Sequence, residues 1–174
     1  MGRQLQKLYD VCGMVSGGLI LCICLLISGQ ILLNGASRLA PGVLPTTIPS
    51  YADFSGFMLA GASFLAMAHT LRAGGHIRVN LVSSRMPQNV QFVLEGFVLL
   101  LAIALLGFLT WFMGALVLES FHYNDVSSGI IPVPLWMPQS IAAFGSFLLL
   151  VSVVHTFVDL IRAKAPVLST PDEV

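Results

Sequence analysis

The sequence predicts an all-α integral membrane protein with four transmembrane helices, both termini cytoplasmic, and a short interfacial helix between the second and third. Three observations carry this prediction. Of 174 residues, 56% are hydrophobic and only 9% charged, where a soluble domain carries about 25% charged residues. The charges gather into islands between four apolar runs, residues 11–33, 54–71, 96–118 and 135–158. Each run is long enough to cross ~30 Å of hydrocarbon at ~1.5 Å per residue. In lipid the backbone must satisfy its own hydrogen bonds, so runs without period-two alternation are helices. Finally, Arg3, Lys7, Arg72, Arg78, Arg85, Arg162 and Lys164 fall on one side and only Arg38 on the other, a bias that sets the basic side in the cytoplasm.

The predicted helices cover about 11–33, 52–72, 88–118 and 135–162 within a membrane domain of residues 1–165. Residues 166–174, with two prolines and two acids, read as a disordered cytoplasmic tail. The first helix follows basic residues as a signal peptide does, but its run exceeds the ~7–15-residue signal core and no small-residue cleavage site follows, so it reads as an uncleaved anchor. It contains Cys12, Cys22 and Cys24, taken as small apolar packing residues. Gly13 and Gly17 stand four apart for close helix contact. Tyr9, Tyr51 and Trp136 read as interfacial anchors.

The second helix opens with Asp53 and carries Ala52, Gly56 and Ala60 at four-residue spacing. That stripe forms a shallow groove admitting a neighbouring backbone, and Arg38 and Asp53 would add polar contacts at its rim. Its two readings are an interface with another subunit and packing within this chain. After Arg72 comes Ala73-Gly74-Gly75-His76-Ile77-Arg78-Val79-Asn80-Leu81. Coiled as a helix, this segment sets Ile77 and Leu81 on one face and Arg78 and Arg85 on another, as in an interfacial helix. Pro87 suits the start of the third helix. Glu95, about two turns further in, should pair with Arg72, Arg78 or Arg85, because an unpaired carboxylate there is costly. In the fourth helix Ala142 and Ser146 provide a further small pair, and Asp159 and Arg162 stand three apart, near enough to pair on one face.

Several functions are excluded. Eight basic and eight acidic residues cancel, leaving no cationic surface to hold nucleic acid. The helix centres carry no ionisable residue, which argues against an enzyme, a pump or a stand-alone transporter of polar solutes. No phosphate-binding glycine loop, HExxH or GxSxG occurs, so no catalytic, cofactor-binding or metal residue is assigned. One alternative rests on His69 and His155. At similar depth on two helices, they could clamp a haem iron as in a cytochrome b-like electron-transfer subunit, although no helix carries the second histidine of a stacked pair.

The order of these features resembles the small membrane subunit, DctQ-like, of tripartite ATP-independent periplasmic (TRAP) transporters. The resemblance rests on four helices, Arg38 after the first, Asp53 opening the second, Gly-His-Ile-Arg-Val at 75–79, and Ser-Ser-Gly-Ile-Ile-Pro-Val-Pro-Leu-Trp at 127–136. Asp53 stands where the family commonly has glutamate, and Asn80 where it has aspartate. The resemblance implies a sodium-driven secondary importer in the bacterial inner membrane. In it a periplasmic substrate-binding protein captures an organic anion, a carboxylate or sulfonate, and a large multi-helix subunit carries it inward. The small subunit is then a scaffold for the large one, without cofactor or catalytic residue.

Overall fold

The computed structural model describes residues 3–39, 42–73 and 87–163. They form four helices: α1 (Arg3–Leu39), α2 (Tyr51–Arg72), α3 (Gln88–Tyr123) and α4 (Trp136–Ala163). All four are long and apolar enough to cross a membrane. The 37 residues of α1 make a rod of about 55 Å, well beyond a ~30 Å core, whereas the 22 residues of α2 match it at about 33 Å. Helix α1 therefore outruns its apolar stretch at both ends: Arg3, Gln4, Gln6 and Lys7 before it are good helix formers, while Asn34, Gly35 and Ser37 after it are not, and there the Ser37 hydroxyl donates to the Asn34 carbonyl of the last turns.

Each helix boundary has a local cause. Ser50 takes a left-handed conformation (φ 54°) immediately before α2. Pro87, extended at ψ 147°, precedes α3 and its carbonyl accepts from the amides of Val90 and Gln91. Asn124, also left-handed, ends α3, a conformation that asparagine tolerates better than most residues. Pro138 lies in the first turn of α4, where the missing N–H interrupts no helical bond.

The helices pack in the spatial order α1, α2, α4, α3. The two central helices run in the same direction, each from the end bearing the α1–α2 and α3–α4 loops to the end bearing the chain termini. Burial follows this order: 39% of the spanning window of α4 is buried, against 11% for each flanking helix. One apolar cluster joins Tyr9 and Cys12 of α1 to Leu65 and Ala68 of α2 and Leu148 of α4. A second joins Leu99 of α3 to Val153 and Leu160 of α4, with Leu71 of α2 against it. Both clusters lie toward the termini end. Tyr9, only 1% exposed, is thus a core residue and not the interfacial anchor that its place near the helix start predicts. Cys22 and Cys24 are exposed, and only Cys12 is buried, so the packing role expected for three cysteines holds for one.

The closest approach is between the central helices. A Cβ at Gly145 of α4 would stand 2.6 Å from the backbone carbon of Phe64 in α2. The small-residue spacing had singled out Ala142 and Ser146, and both are buried, but the residue on which the two backbones close lies between them. Across the other contact, the Ser16 hydroxyl donates to the Ala62 carbonyl at 2.8 Å. The hydroxyl thereby satisfies itself within the membrane and fixes the register of α1 on α2.

Candidate functional site

Three regions concentrate the residues that the sequence marks: the loop end, the termini end, and the uncovered face of α2.

At the loop end, two connections are tied to the helices. The amide of Ile48 donates to Oε1 of the buried Gln30 at 2.7 Å, anchoring the α1–α2 loop. The amide of Ile131 donates to the Ser50 hydroxyl at 2.8 Å, and the segment before α4 folds on itself through the Ser127 amide and Val133 carbonyl at 2.9 Å. Gly129, at the tip of that fold, is seated on Asp53, so that any side chain there would strike the carboxylate and the Ser50 hydroxyl. Asp53 and the segment 127–136, far apart in sequence, thus form one latch. Asp53 is half-buried against its own loop. Arg38, at the end of α1, is exposed and makes no ion pair among the described residues. Ser50 is the latch residue that sequence reading missed; its only signal was a serine next to a proline ahead of a helix.

At the termini end, polar side chains of separate helices meet. Asp10 of α1 and His69 of α2 approach to 3.4 Å, with the imidazole packed over Gly13, where a Cβ would come within 2.8 Å of the ring. Arg72 of α2 donates to Asp159 of α4 at 3.4 Å and, through its second terminal nitrogen, to the Ser152 carbonyl at 3.5 Å. His155 stands 3.9 Å from the same Asp159 oxygen. Asp159 therefore pairs across helices with Arg72, and the local pairing with Arg162 expected from their spacing does not form; Arg162 is exposed. Glu95 is buried, 3% exposed. Of its expected partners, Arg72 reaches Asp159, and Arg78 and Arg85 lie outside the described residues, as do Gly75, His76, the interfacial helix and the tail.

His69 and His155 each face a different carboxylate, so the structure ties the two imidazoles to separate helix contacts. Among the described residues no three His, Cys, Asp or Glu side chains converge as a metal site would require.

The third region is the face of α2 turned away from α1 and α4. Ala52, Gly56 and Ser63 are exposed, Leu59 is 57% exposed, and Ala60 is half-buried. A Cβ at Gly56 would meet nothing within 4 Å. The hydroxyls of Ser55, Ser63 and Thr70 donate to carbonyls of their own helix, so this face offers an apolar partner no unmet donor. Of the two readings of the stripe, packing within this chain finds no covering helix among the described residues.

Comparison with known families matches residues 31–163 to the family described as "Tripartite ATP-independent periplasmic transporters, DctQ component". Comparison with curated protein sequences finds no match. The family match covers most of the chain, from the last nine residues of α1 to the end of α4. The chain belongs to this family, which comprises transporter components and not enzymes.

Proposed function

From membership in this family we propose that the chain is the small scaffold subunit of a sodium-driven, binding-protein-dependent secondary importer of an organic anion, a carboxylate or sulfonate. It binds and anchors the large multi-helix subunit in the bacterial inner membrane, and a periplasmic protein delivers the solute. In this reading both termini and residues 74–86 are cytoplasmic, as the distribution of lysine and arginine favours, and the Asp53–Gly129 latch faces the periplasm. The segment carrying Gly75, His76, Arg78 and Arg85 lies as a short helix in the cytoplasmic interface, and Glu95 pairs with one of its arginines.

The observation that carries the reading is the uncovered small-residue face of α2 at Ala52, Gly56 and Ala60. Helices in lipid gain nothing from a hydrophobic effect against each other; they associate where small side chains let backbones approach and dispersion contacts accumulate. A helix of the large subunit laid along this face fills the space above Gly56, with exposed Arg38 available for a polar contact at the rim. The rest of the chain suits a fixed support, since Arg72 and Asp159 tie its two central helices together at one end.

Gly56→Leu tests this. The variant is expected to insert and accumulate as the parent does but to fail to copurify with the large subunit. Normal copurification with normal uptake would overturn the assignment. Loss of the protein itself would return the stripe to internal packing.

A further inference from the structure

Helix α1 packs mainly on α2, and at the termini end one pair of titratable side chains meets across them. Nδ1 of His69 on α2 stands 3.4 Å from the Asp10 carboxylate on α1. That nitrogen is shielded from solvent and makes no hydrogen bond among the described residues, so what Asp10 offers it is charge. The imidazole and the carboxylate are 40% and 48% exposed, which leaves the ring open to a proton from water. The ring also lies directly over Gly13, where a Cβ would come within 2.8 Å of it, so it is held in place beside the carboxylate. The neighbouring titratable groups are otherwise disposed. On α2, Arg72 is three residues on and is turned to Asp159 and the Ser152 carbonyl of α4. On α4, His155 faces the same Asp159. On α1, Tyr9 and Cys12 are buried in the cluster with Leu65, Ala68 and Leu148, and Lys7 is exposed. Among the described residues, Asp10 is the charged group in ion-pair reach of His69.

We propose that the contact between Asp10 and His69 is a proton-operated clasp that closes the termini end of α1 on α2. A histidine changes charge between about pH 5 and 8, a range in which an aspartate stays ionised. Uptake of one proton from water turns the contact of a neutral ring with a carboxylate into an ion pair between two helices. Its release as pH rises removes that pair. The clasp therefore holds on the acid side and is lost on the alkaline side. Both groups are partly exposed, so water and salt screen the pair, and the closed form of α1 gains about two- to fivefold over the open one. Because α1 joins the rest of the chain mainly through α2, this gain sets how firmly the helix is seated at that end. With the termini end in the cytoplasm, as proposed above, the pH that it follows is the internal one; the clasp itself does not depend on that orientation.

Cys12 supplies the readout. Its thiol is buried, 5% exposed, next to the glycine that the ring covers, so N-ethylmaleimide reaches it when α1 lifts. The full chain, with the exposed Cys22 and Cys24 replaced by serine, is labelled in mild detergent at about pH 6 and about pH 8.5. Parent, Asp10→Asn and His69→Gln are compared at each pH, which cancels the ionisation of the thiol itself. Both variants are expected to label about two- to fivefold faster than the parent at the lower pH and at the parental rate at the higher one. Asp10→Glu, which keeps the charge, is expected to label as the parent does at both. A variant-to-parent ratio that is the same at the two pH values, acceleration in only one of the two variants, or no acceleration in either would overturn the clasp. So would a parent whose Cys12 reacts as fast as in the denatured chain, since α1 would then not be seated on α2 at all.

Discussion

The two halves of this layer are packed by different rules. From mid-depth to the termini end, helices close on each other at particular points: a Cβ at Gly13, Gly61 or Gly145 would press on a neighbouring helix, and both apolar clusters lie there, while Gly17 and Gly18 of α1 meet nothing within 4 Å. Toward the loop end, Gly29, Gly35, Gly56 and Gly114 meet nothing within 4 Å, and apolar grooves separate α1 from α2 and α3 from α4. The polar chemistry differs in the same sense. At the termini end an ion pair joins α2 to α4 and the His69 imidazole stands beside Asp10 of α1, whereas at the loop end neutral hydrogen bonds and the Asp53–Gly129 seat fix only the connections. The lesson is that a glycine in a spanning helix does not by itself mark a close helix contact. One half holds the chain together, and the other leaves small residues uncovered by the described helices.

Gly145→Ala should break the comparison most severely. The added carbon meets Phe64 backbone, which no rotamer change relieves, and a cost of about 3 kcal/mol is expected. The check is a large drop in the thermal unfolding midpoint in detergent, with poor accumulation in the membrane. A normal midpoint would mean that the central helices are not closed at this point.

Gly129→Ala should come next, at about 1–3 kcal/mol, because the methyl group displaces Asp53 from its seat. Its effect should concentrate on the segment before α4, read as faster hydrogen exchange at the Ile131 amide, while exchange in the central helices stays slow. Uniformly faster exchange would show that the latch also supports the bundle.

The ion pair between Arg72 and Asp159 should contribute less. Its side chains are 19% and 35% exposed, so a double-mutant cycle with Arg72→Gln and Asp159→Asn is expected to give a coupling of about 0.5–1 kcal/mol. A value near zero would reduce the termini-end pairing to a by-product of proximity.

Gly114→Ala should have the smallest effect and the opposite sign. With open space above the position and an alanine favouring helix, the isolated chain is expected to gain up to about 1 kcal/mol. Destabilisation would show that the loop-end half is more tightly packed than the grooves imply.

Much of the architecture was legible from residue types alone. The four spans followed from apolar runs that admit no other hydrogen-bonded structure in lipid, and the stripe on α2 from its four-residue spacing. Where the reading failed, it lacked a partner's position. Tyr9 had the composition of an anchor, yet the crossing of α1 over α2 turns it into the core. Asp159 had an arginine three residues away, but Arg72 reaches it from another helix with a backbone carbonyl beside it to accept a second bond.

The sequence by itself determined the number of helices, the extent of the second and fourth, and the spacing of the small residues on α2, because each depends on local periodicity and on the energetics of backbone in hydrocarbon; α1 runs eight and six residues beyond its apolar stretch and α3 five residues beyond its predicted end. Only the tertiary structure decided that α2 and α4 form the centre, that Gly145 is where they close, that Asp53 seats Gly129, and that the stripe at Gly56 is left uncovered. All four depend on which helices become neighbours. In lipid that choice is made by shape and contact, not by hydrophobicity, and every helix here is hydrophobic enough to satisfy the membrane alone.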